Sequence, residues 1–146
     1  MGDISKDIQS SFPSDRVKAF INIKFTANWI NSKENEFFKP FGISPQQFNI
    51  LRILRGAGKA IKVQEIKDRM IERAPNATRL MDKLCAKDLI ERIPCPDDRR
   101  VVHIAIKDNG LKLLKQIGDS MPKNDWLGNL TDEEATQLSN LLDKVR

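Results

Sequence analysis

The segment PNATRLMDKLCAKDLIERIPCPDDRRVVHIAI, at positions 75–106, carries the clearest indication of the fold. Its apolar residues first recur at helical spacing, which predicts a helix over Pro75–Lys87. Two apolar segments follow, Leu89–Ile93 and Val101–Ile106, and each predicts a strand. The intervening segment, 94–100, holds two prolines and four charged residues, so it predicts the exposed tip of a hairpin rather than part of the core.

The residues before this segment predict three further helices. Apolar side chains recur at three- and four-residue steps over Asp15–Phe38, which predicts a long amphipathic helix that ends near Pro40 and Gly42. Ser44 and Gln47 have the spacing of a capping box, and Pro45 suits the first helical position. An apolar patch at Ile61–Val63 then precedes a short predicted helix at Gln64–Ile71.

Two helices are predicted after the hairpin. Asp108 is expected to cap the first, which Pro122 ends, and a second capping box at Thr131 and Glu134 begins the last. Two short helices joined by a tight turn, followed by a charged hairpin, are typical of a winged helix-turn-helix. The predicted fold class is therefore mainly α with a small β wing, in a single domain over residues 1–146.

The composition limits the function. The chain has 146 residues, of which one is histidine, two are cysteine and none is tyrosine, so little material exists for acid–base chemistry, a disulfide framework or a metal site. We expect no enzyme activity, no catalytic residue, no cofactor and no metal. Because no apolar run approaches about 18 residues, we also expect no membrane segment and a cytoplasmic location.

The positive charge is concentrated in the middle of the chain. Residues 52–115 hold 16 Lys and Arg against 9 Asp and Glu, whereas the rest holds 9 basic and 11 acidic residues. This excess is consistent with a solvated surface, and equally with a face that binds phosphates.

The predicted helix after Pro75 carries polar residues on the side away from its apolar face. They are of types that contact base edges or phosphates, as is one arginine in the preceding turn: Asn76, Thr78, Arg79, Lys83 and Arg73. An ordinary amphipathic helix with a hydrated face would show the same pattern. The hairpin tip favours nucleic acid, because Arg99 and Arg100 could reach a narrow minor groove while Asp98 orients one of them. Its alternative is a solvated turn with weak ion pairs.

These motifs together resemble the MarR (multiple antibiotic resistance regulator) family of transcription factors. The resemblance lies in residues 76–84 for the Thr-Arg-Leu helix, 89–92 for the strand start and 97–100 for the Asp-x-Arg wing, followed by a loose match at 108–110. The chain departs from the family at Asp88, where a glycine is usual, and at Asp108, where a threonine is usual. In the family's pattern Arg100 is the wing arginine that enters the minor groove.

The resemblance implies a homodimer that binds double-stranded DNA at a pseudo-palindromic operator. It places a DNA-binding lobe at residues 44–107 and dimerisation helices at 15–41 and 108–146. A repressor released by a small aromatic effector is the implied mechanism. Four aromatic side chains are candidates for the effector pocket, although residues at helical spacing more often belong to the core: Phe20, Phe25, Trp29 and Phe41.

Two other functions remain open. A winged helix that docks an acidic protein without binding DNA would also explain a basic face, but it would leave the wing arginines without a role. A small enzyme is the remaining alternative, and it lacks any nucleophile–base pairing or phosphate loop. Cys85 and Cys95 lie outside the first helix, where redox-sensing relatives carry their cysteine, so we expect no cysteine switch.

Overall fold

The computed structural model describes residues 2–121 and 125–146, and within these ranges the chain is mostly helical with one small sheet. The helices are α1 (Ile4–Asp7), α2 (Asp15–Phe38), α3 (Pro45–Ala57), α4 (Val63–Arg69), α5 (Ala77–Ala86), α6 (Asp108–Ser120) and α7 (Asp132–Val145), with a 3-10 turn at Lys39–Phe41. The strands are β1 (Ile61–Lys62), β2 (Ile90–Pro94) and β3 (Val102–Ile106). This architecture confirms the predicted fold class.

Both predicted capping boxes are present. The Ser44 hydroxyl accepts a hydrogen bond from the Gln47 N–H at 3.1 Å, and the Gln47 side chain accepts one from the Ser44 N–H at 2.9 Å. Thr131 and Glu134 form the same pair of bonds at the start of α7. Each box satisfies backbone donors that the first helical turn leaves without partners, so both helices begin where the sequence predicts.

Several predicted helix boundaries are wrong, and hydrogen bonds account for two of the shifts. Pro75 does not begin α5: the Ala77 N–H bonds to the Ala74 carbonyl at 3.2 Å, which makes Pro75 the second residue of a turn. The helix predicted to end at Ile71 ends at Arg69, because the Ile71 N–H bonds to the Asn49 side chain at 2.9 Å. Asp108 is the first residue of α6 rather than its cap.

Smaller differences concern the strands and the chain ends. β2 begins and ends one residue later than predicted, and β3 begins one residue later. Helix α1 was not predicted; Asp3 caps it through a 3.0 Å bond to the Ser5 N–H. Pro122, the predicted end of α6, lies outside the described residues.

The sheet has the antiparallel order β1–β3–β2, so β3 is its central strand. Ile104 of β3 pairs with Ile61 on one side and with Arg92 on the other, and its side chain is completely buried. The core around it draws on α3, α4, α5 and α6, and its fully buried members include Ile50, Leu54, Ile66, Leu84, Leu114 and Ile117. The sheet therefore joins the short helices into one lobe.

The junction between α5, β2 and α6 is sterically tight. Asp88 follows α5 in the left-handed conformation, with φ at 60°, and the Leu89 N–H bonds back to the Leu84 carbonyl at 3.1 Å. Asn109 donates to the Asp88 carboxylate at 2.9 Å, and Lys107 pairs with it. The hydrogen bond and charge of Lys107 hold the pKa of Asp88 below its usual value. The chain thus tolerates an aspartate where glycine is common.

No helix in the described parts of the chain is both long and apolar enough to span a bilayer.

Gly110 is expected to be essential for this junction. A Cβ at position 110 would lie 2.4 Å from the Leu89 carbonyl oxygen and 2.7 Å from Ile106 Cγ1. Gly110→Ala should lower the free energy of unfolding by about 1–3 kcal/mol, because backbone must move to admit the methyl group. Thermal and urea unfolding measure the loss.

The matched control for this prediction is Gly56→Ala. Gly56 lies in α3, and a methyl group added there would meet nothing within 4 Å, so alanine should leave stability unchanged or raise it by up to about 1 kcal/mol. Equal stability of the two variants would contradict the steric role of Gly110.

Candidate nucleic-acid interface

Helix α5 is anchored by one face and exposed on the other. Ala77, Met81 and Leu84 are buried in the core, and Leu80 is half-buried beside them. The opposite face carries the predicted contact residues, and all of them are exposed: Asn76, Thr78, Arg79 and Lys83. Because the buried positions leave α5 no freedom to rotate about its axis, these side chains are held toward solvent.

A buried glutamine ties α5 to α3. Gln47 is 5% exposed, and besides its part in the capping box it donates from Nε2 to the Leu80 carbonyl at 3.4 Å. The sequence singled out Gln47 only as a helix cap. Its second bond joins residues 33 positions apart, and capping spacing carries no information about such a partner.

An ion pair ties α5 to the wing. The Arg92 guanidinium on β2 donates to the Asp82 carboxylate, and this hydrogen bond raises the pKa of Arg92. Asp82 lies on the exposed face of α5, between the predicted contact residues Arg79 and Lys83. The pair is a direct, solvent-exposed contact between the helix and the strand that leads into the wing.

The wing is an ordered turn. The Cys95 N–H bonds to the Val101 carbonyl at 3.1 Å, and the Val101 N–H bonds to the Asp98 carbonyl at 3.0 Å. The Asp98 carboxylate accepts a further bond from the backbone N–H of Arg100 at 2.9 Å. Asp98 therefore orients the backbone of Arg100 and not its guanidinium. Asp98, Arg99 and Arg100 are all exposed.

Arg73, a predicted contact residue, lies beside a second cation that the sequence analysis did not select. It lines a cleft of about 640 Å³ between α4 and the start of α5, together with Lys67 and Asp68. Lys67 was not among the predicted contact residues. Its position in the last turn of the first helix of the helix-turn-helix, where that helix crosses a DNA backbone, identifies it as a candidate phosphate ligand.

The four aromatic candidates for the effector pocket do not lie together. Phe20, Phe25 and Trp29 are exposed along α2, whereas the Phe41 ring packs 5.6 Å from that of Phe37. At the usual rise of a helix, Phe20 lies roughly 27 Å from the end of α2. One chain cannot bring these side chains around a single small ligand.

The terminal helices expose apolar side chains. Phe20 is 59% exposed on α2, and Leu141 and Val145 are 63% and 73% exposed on α7. Helix α7 has no buried residue, and α2 buries only Phe38 at its end. Such stripes on long helices are typical of surfaces that another chain covers.

The cysteines and potential metal ligands form no obvious site. Cys85 and Cys95 are free and half-buried. Within residues 2–121 and 125–146, no group of three histidine, cysteine or acidic side chains is arranged to hold a metal ion.

Comparison with known proteins connects this geometry to one family. The family model described as "MarR family" matches residues 43–102, which span α3 to the beginning of β3. Over 148 aligned residues the chain is 30% identical to the HTH-type transcriptional repressor MdtR of Bacillus subtilis, covering 99% of this chain and 84% of that protein.

Two solved structures resemble the whole chain. A MarR transcription factor from Planctomyces limnophilus has a TM-score of 0.71 and 34% identity, over 91% of this chain and 98% of that one. A mutant of MarR from Escherichia coli, complexed with operator DNA, has a TM-score of 0.71 and 28% identity over 99% of each chain.

Arg100 is expected to contribute more to specific DNA binding than Arg99. Asp98 fixes the backbone at Arg100, and a guanidinium suits a narrow minor groove because it is weakly hydrated and offers a planar fork of donors. Arg100→Ala should cost about 1–3 kcal/mol of affinity for selected duplex DNA, and Arg100→Lys should restore only part of it.

Arg99→Ala is the matched control, and its loss should be smaller and independent of DNA sequence. Fluorescence anisotropy measures affinity, and thermal unfolding checks that all three variants fold. Small, equal losses for both arginines would leave only a diffuse electrostatic role at the wing.

Proposed function

We propose, because this chain belongs to the MarR family of transcriptional regulators, that it is a repressor that binds a pseudo-palindromic operator as a homodimer. Transcription regulation through DNA binding by a winged helix is the family's activity. The repressor sense, the dimer, the operator symmetry and release by a small-molecule effector are the parts that we add.

One observation carries the proposal. All eight residues that the sequence selects for DNA contact are exposed, although the helix that bears three of them is anchored by three buried side chains. The exposed face alone would fit any amphipathic helix, but the ordered turn that presents Arg99 and Arg100 to solvent beside it is what a DNA-binding wing adds. A helix that enters a DNA groove requires that division between a buried and an exposed face.

The contacts divide into three kinds. Asn76, Thr78 and Arg79 lie at the start of α5, which is the end of a recognition helix that reaches base edges in the major groove. Arg100 enters the adjacent minor groove from the wing. The remaining cations, which include Lys83 and the pair Lys67 and Arg73 beside the cleft, bind phosphates and set the register of the protein on the duplex.

The dimer rests on the terminal helices. A second copy would cover the apolar stripes of α2 and α7, which the chain itself leaves in water. We accordingly assign residues 15–41 and 108–146 to dimerisation and residues 44–107 to DNA binding. Two linked lobes bind two half-sites, so the second contact gains from the high effective concentration that the first creates.

We infer repression, rather than activation, of transcription from a relative. MdtR is named a transcriptional repressor, and a repressor that occupies an operator needs a means of release. A ligand that changes the distance between the two recognition helices would supply it, because the two grooves are fixed about 34 Å apart. This role requires neither enzyme activity nor a cofactor, and it places the protein in the cytoplasm with the DNA.

Operator binding should weaken steeply with salt. If about six to ten phosphates are contacted per dimer, affinity should fall by roughly three to five decades between about 50 and 200 mM salt, because each contact releases condensed counterions. Anisotropy titrations with selected duplex DNA measure the slope. A winged helix that binds only an acidic protein would bind no DNA at low salt, and that result would overturn the proposal.

The dimer should depend on Leu141, which is the most exposed leucine of α7. Leu141→Glu removes no core contact within the chain, so the fold should persist while a buried charge at the interface separates the protomers. Light scattering at micromolar concentration should then give the 16.7 kDa of one chain instead of twice that mass. Operator affinity should fall in this variant, because a monomer binds only one half-site.

The matched control is Ser139→Glu, a charge introduced two residues away at a polar, exposed position of α7. It should leave the mass of the dimer unchanged. A monomeric parent protein, or a Leu141→Glu variant that remains dimeric, would contradict the assignment of α7 to the interface.

A further inference from the structure

The exposed face of α5 carries one acidic residue among its cations. Asp82 is the only aspartate or glutamate in this helix, and it lies on the face that also bears Arg79 and Lys83. A carboxylate repels the phosphates that the two cations attract. Asp82 therefore opposes the sequence-independent binding that the rest of the face favours.

Arg92 holds this carboxylate in place. Residues of β2 alternate between the two faces of the sheet, and Arg92 shares the face of Ile90, which is buried against the core. From there its guanidinium reaches α5 and donates to Asp82 Oδ1. The two side chains are 42% and 53% exposed, so the pair contributes little to the free energy of unfolding. Its main consequence is where it places the two charges.

The pair leaves the guanidinium of Arg79 available. Asp82 follows Arg79 by three residues, and side chains at that spacing on a helix are close enough to form an ion pair. Neither Arg79 nor Lys83, however, forms an ion pair with any residue that the structure describes. Because Arg92 binds Asp82, the negative charge stays on the face without occupying Arg79.

We propose that Asp82 is a specificity-determining residue for DNA and that Arg92 is its positioning residue. On DNA that is held only through phosphates, the Asp82 carboxylate lowers the affinity by repulsion. At a matched site α5 enters the major groove, where Asp82 faces base edges instead of phosphates and the amino group of a cytosine is a suitable donor to it. The ratio of specific to non-specific affinity rises accordingly. This inference rests on the proposed function for the assignment of α5 to the groove.

Asp82→Asn tests the role of the charge, because asparagine keeps the size of the side chain. Anisotropy titrations compare a duplex selected from a random pool with a scrambled duplex of the same length and composition. At about 0.1 M salt, affinity for the scrambled duplex should rise at least about fivefold, and its logarithmic salt dependence should steepen by about 0.9 for each protomer in contact. Affinity for the selected duplex should rise less, so the ratio of the two should fall by about threefold or more.

Glu91→Gln makes the same change in net charge at a different place. Glu91 is exposed, and as the neighbour of Arg92 on β2 it lies on the opposite face of the sheet. Screening over about 10 Å at this salt concentration should leave its affinity ratio equal to that of the parent. An unchanged ratio in Asp82→Asn, or an equal fall in Glu91→Gln, would overturn the role of Asp82. Asp82→Ser replaces the first variant if thermal unfolding shows that it does not fold.

The positioning role of Arg92 is tested by rescue. Arg92→Gln releases Asp82 to pair with Arg79, so affinity for the selected duplex should fall about tenfold, on the scale of one lost specific contact. Adding Asp82→Asn to this variant should restore most of the affinity, because no carboxylate remains to occupy Arg79. Arg92→Lys keeps a cation on the strand and should retain most of the parent's affinity. A double variant that binds as weakly as Arg92→Gln would show that Arg92 acts without Asp82, which contradicts the positioning role.

Failure of this inference and failure of the proposed function give different results. A parent protein that binds the selected and scrambled duplexes equally overturns the proposed function, and this inference with it. A parent that prefers the selected duplex, together with any of the contrary results above, overturns the inference alone.

Discussion

The burial of one face of α5 controls the geometry of the whole DNA-binding surface. Ala77, Met81 and Leu84 are each at most 1% exposed, so a helix of only ten residues is fixed both in position and in rotation. Such a helix is too short to be stable alone, and its stability comes from tertiary packing. What faces the solvent is therefore determined by what is packed behind it.

Two polar contacts strengthen that constraint. Gln47 attaches the helix to α3, and Asp82 attaches it through Arg92 to the strand that leads into the wing. The first contact is buried and lies in a region of low dielectric constant, where the loss of a partner is costly. The second is exposed and contributes mainly to orientation. Together they attach the recognition helix to α3 on one side and to the wing strand on the other.

The junction behind the helix shows how one unfavourable conformation is compensated. In the left-handed backbone conformation an aspartate has a higher conformational free energy than a glycine. A short polar side chain that forms local hydrogen bonds reduces the difference. Asp88 makes such bonds to Lys107 and Asn109, residues at the start of α6. Because Gly110 has no side chain, α6 can approach the Leu89 carbonyl so closely that a Cβ at this position would clash with it. The departure from the family's pattern at position 88 is thus stabilised by the helix that follows the wing.

The molecule divides into a lobe with a complete core and terminal helices without one. Residues from Phe38 to Ile117 supply the core cluster, whereas the long α2 and the final α7 leave their apolar stripes exposed. A cleft that Glu34 and Glu72 line lies where these parts meet.

Features that arise from neighbouring residues could be predicted without coordinates. Capping boxes, the bounds of α2 and the charged hairpin all follow from interactions within a few positions, and the order of these elements was sufficient for the fold class. The exposed face of α5 also followed from helical periodicity. Its DNA contacts remain predictions, because exposure alone does not identify a ligand.

Contacts between residues that are far apart in the sequence could be identified only from the three-dimensional structure. The start of α5 and the end of α4 shifted because the hydrogen bonds that the Ala74 carbonyl and the Asn49 side chain accept outweigh helix propensity at those residues. Glu34 and Glu72 are far apart in the chain, and no local pattern predicts that they face one cleft. The same holds for Gly110, whose need for a missing side chain arises from the Leu89 carbonyl across the sheet junction. Contacts of this kind depend on how elements pack, and packing is a property of the whole chain rather than of any segment.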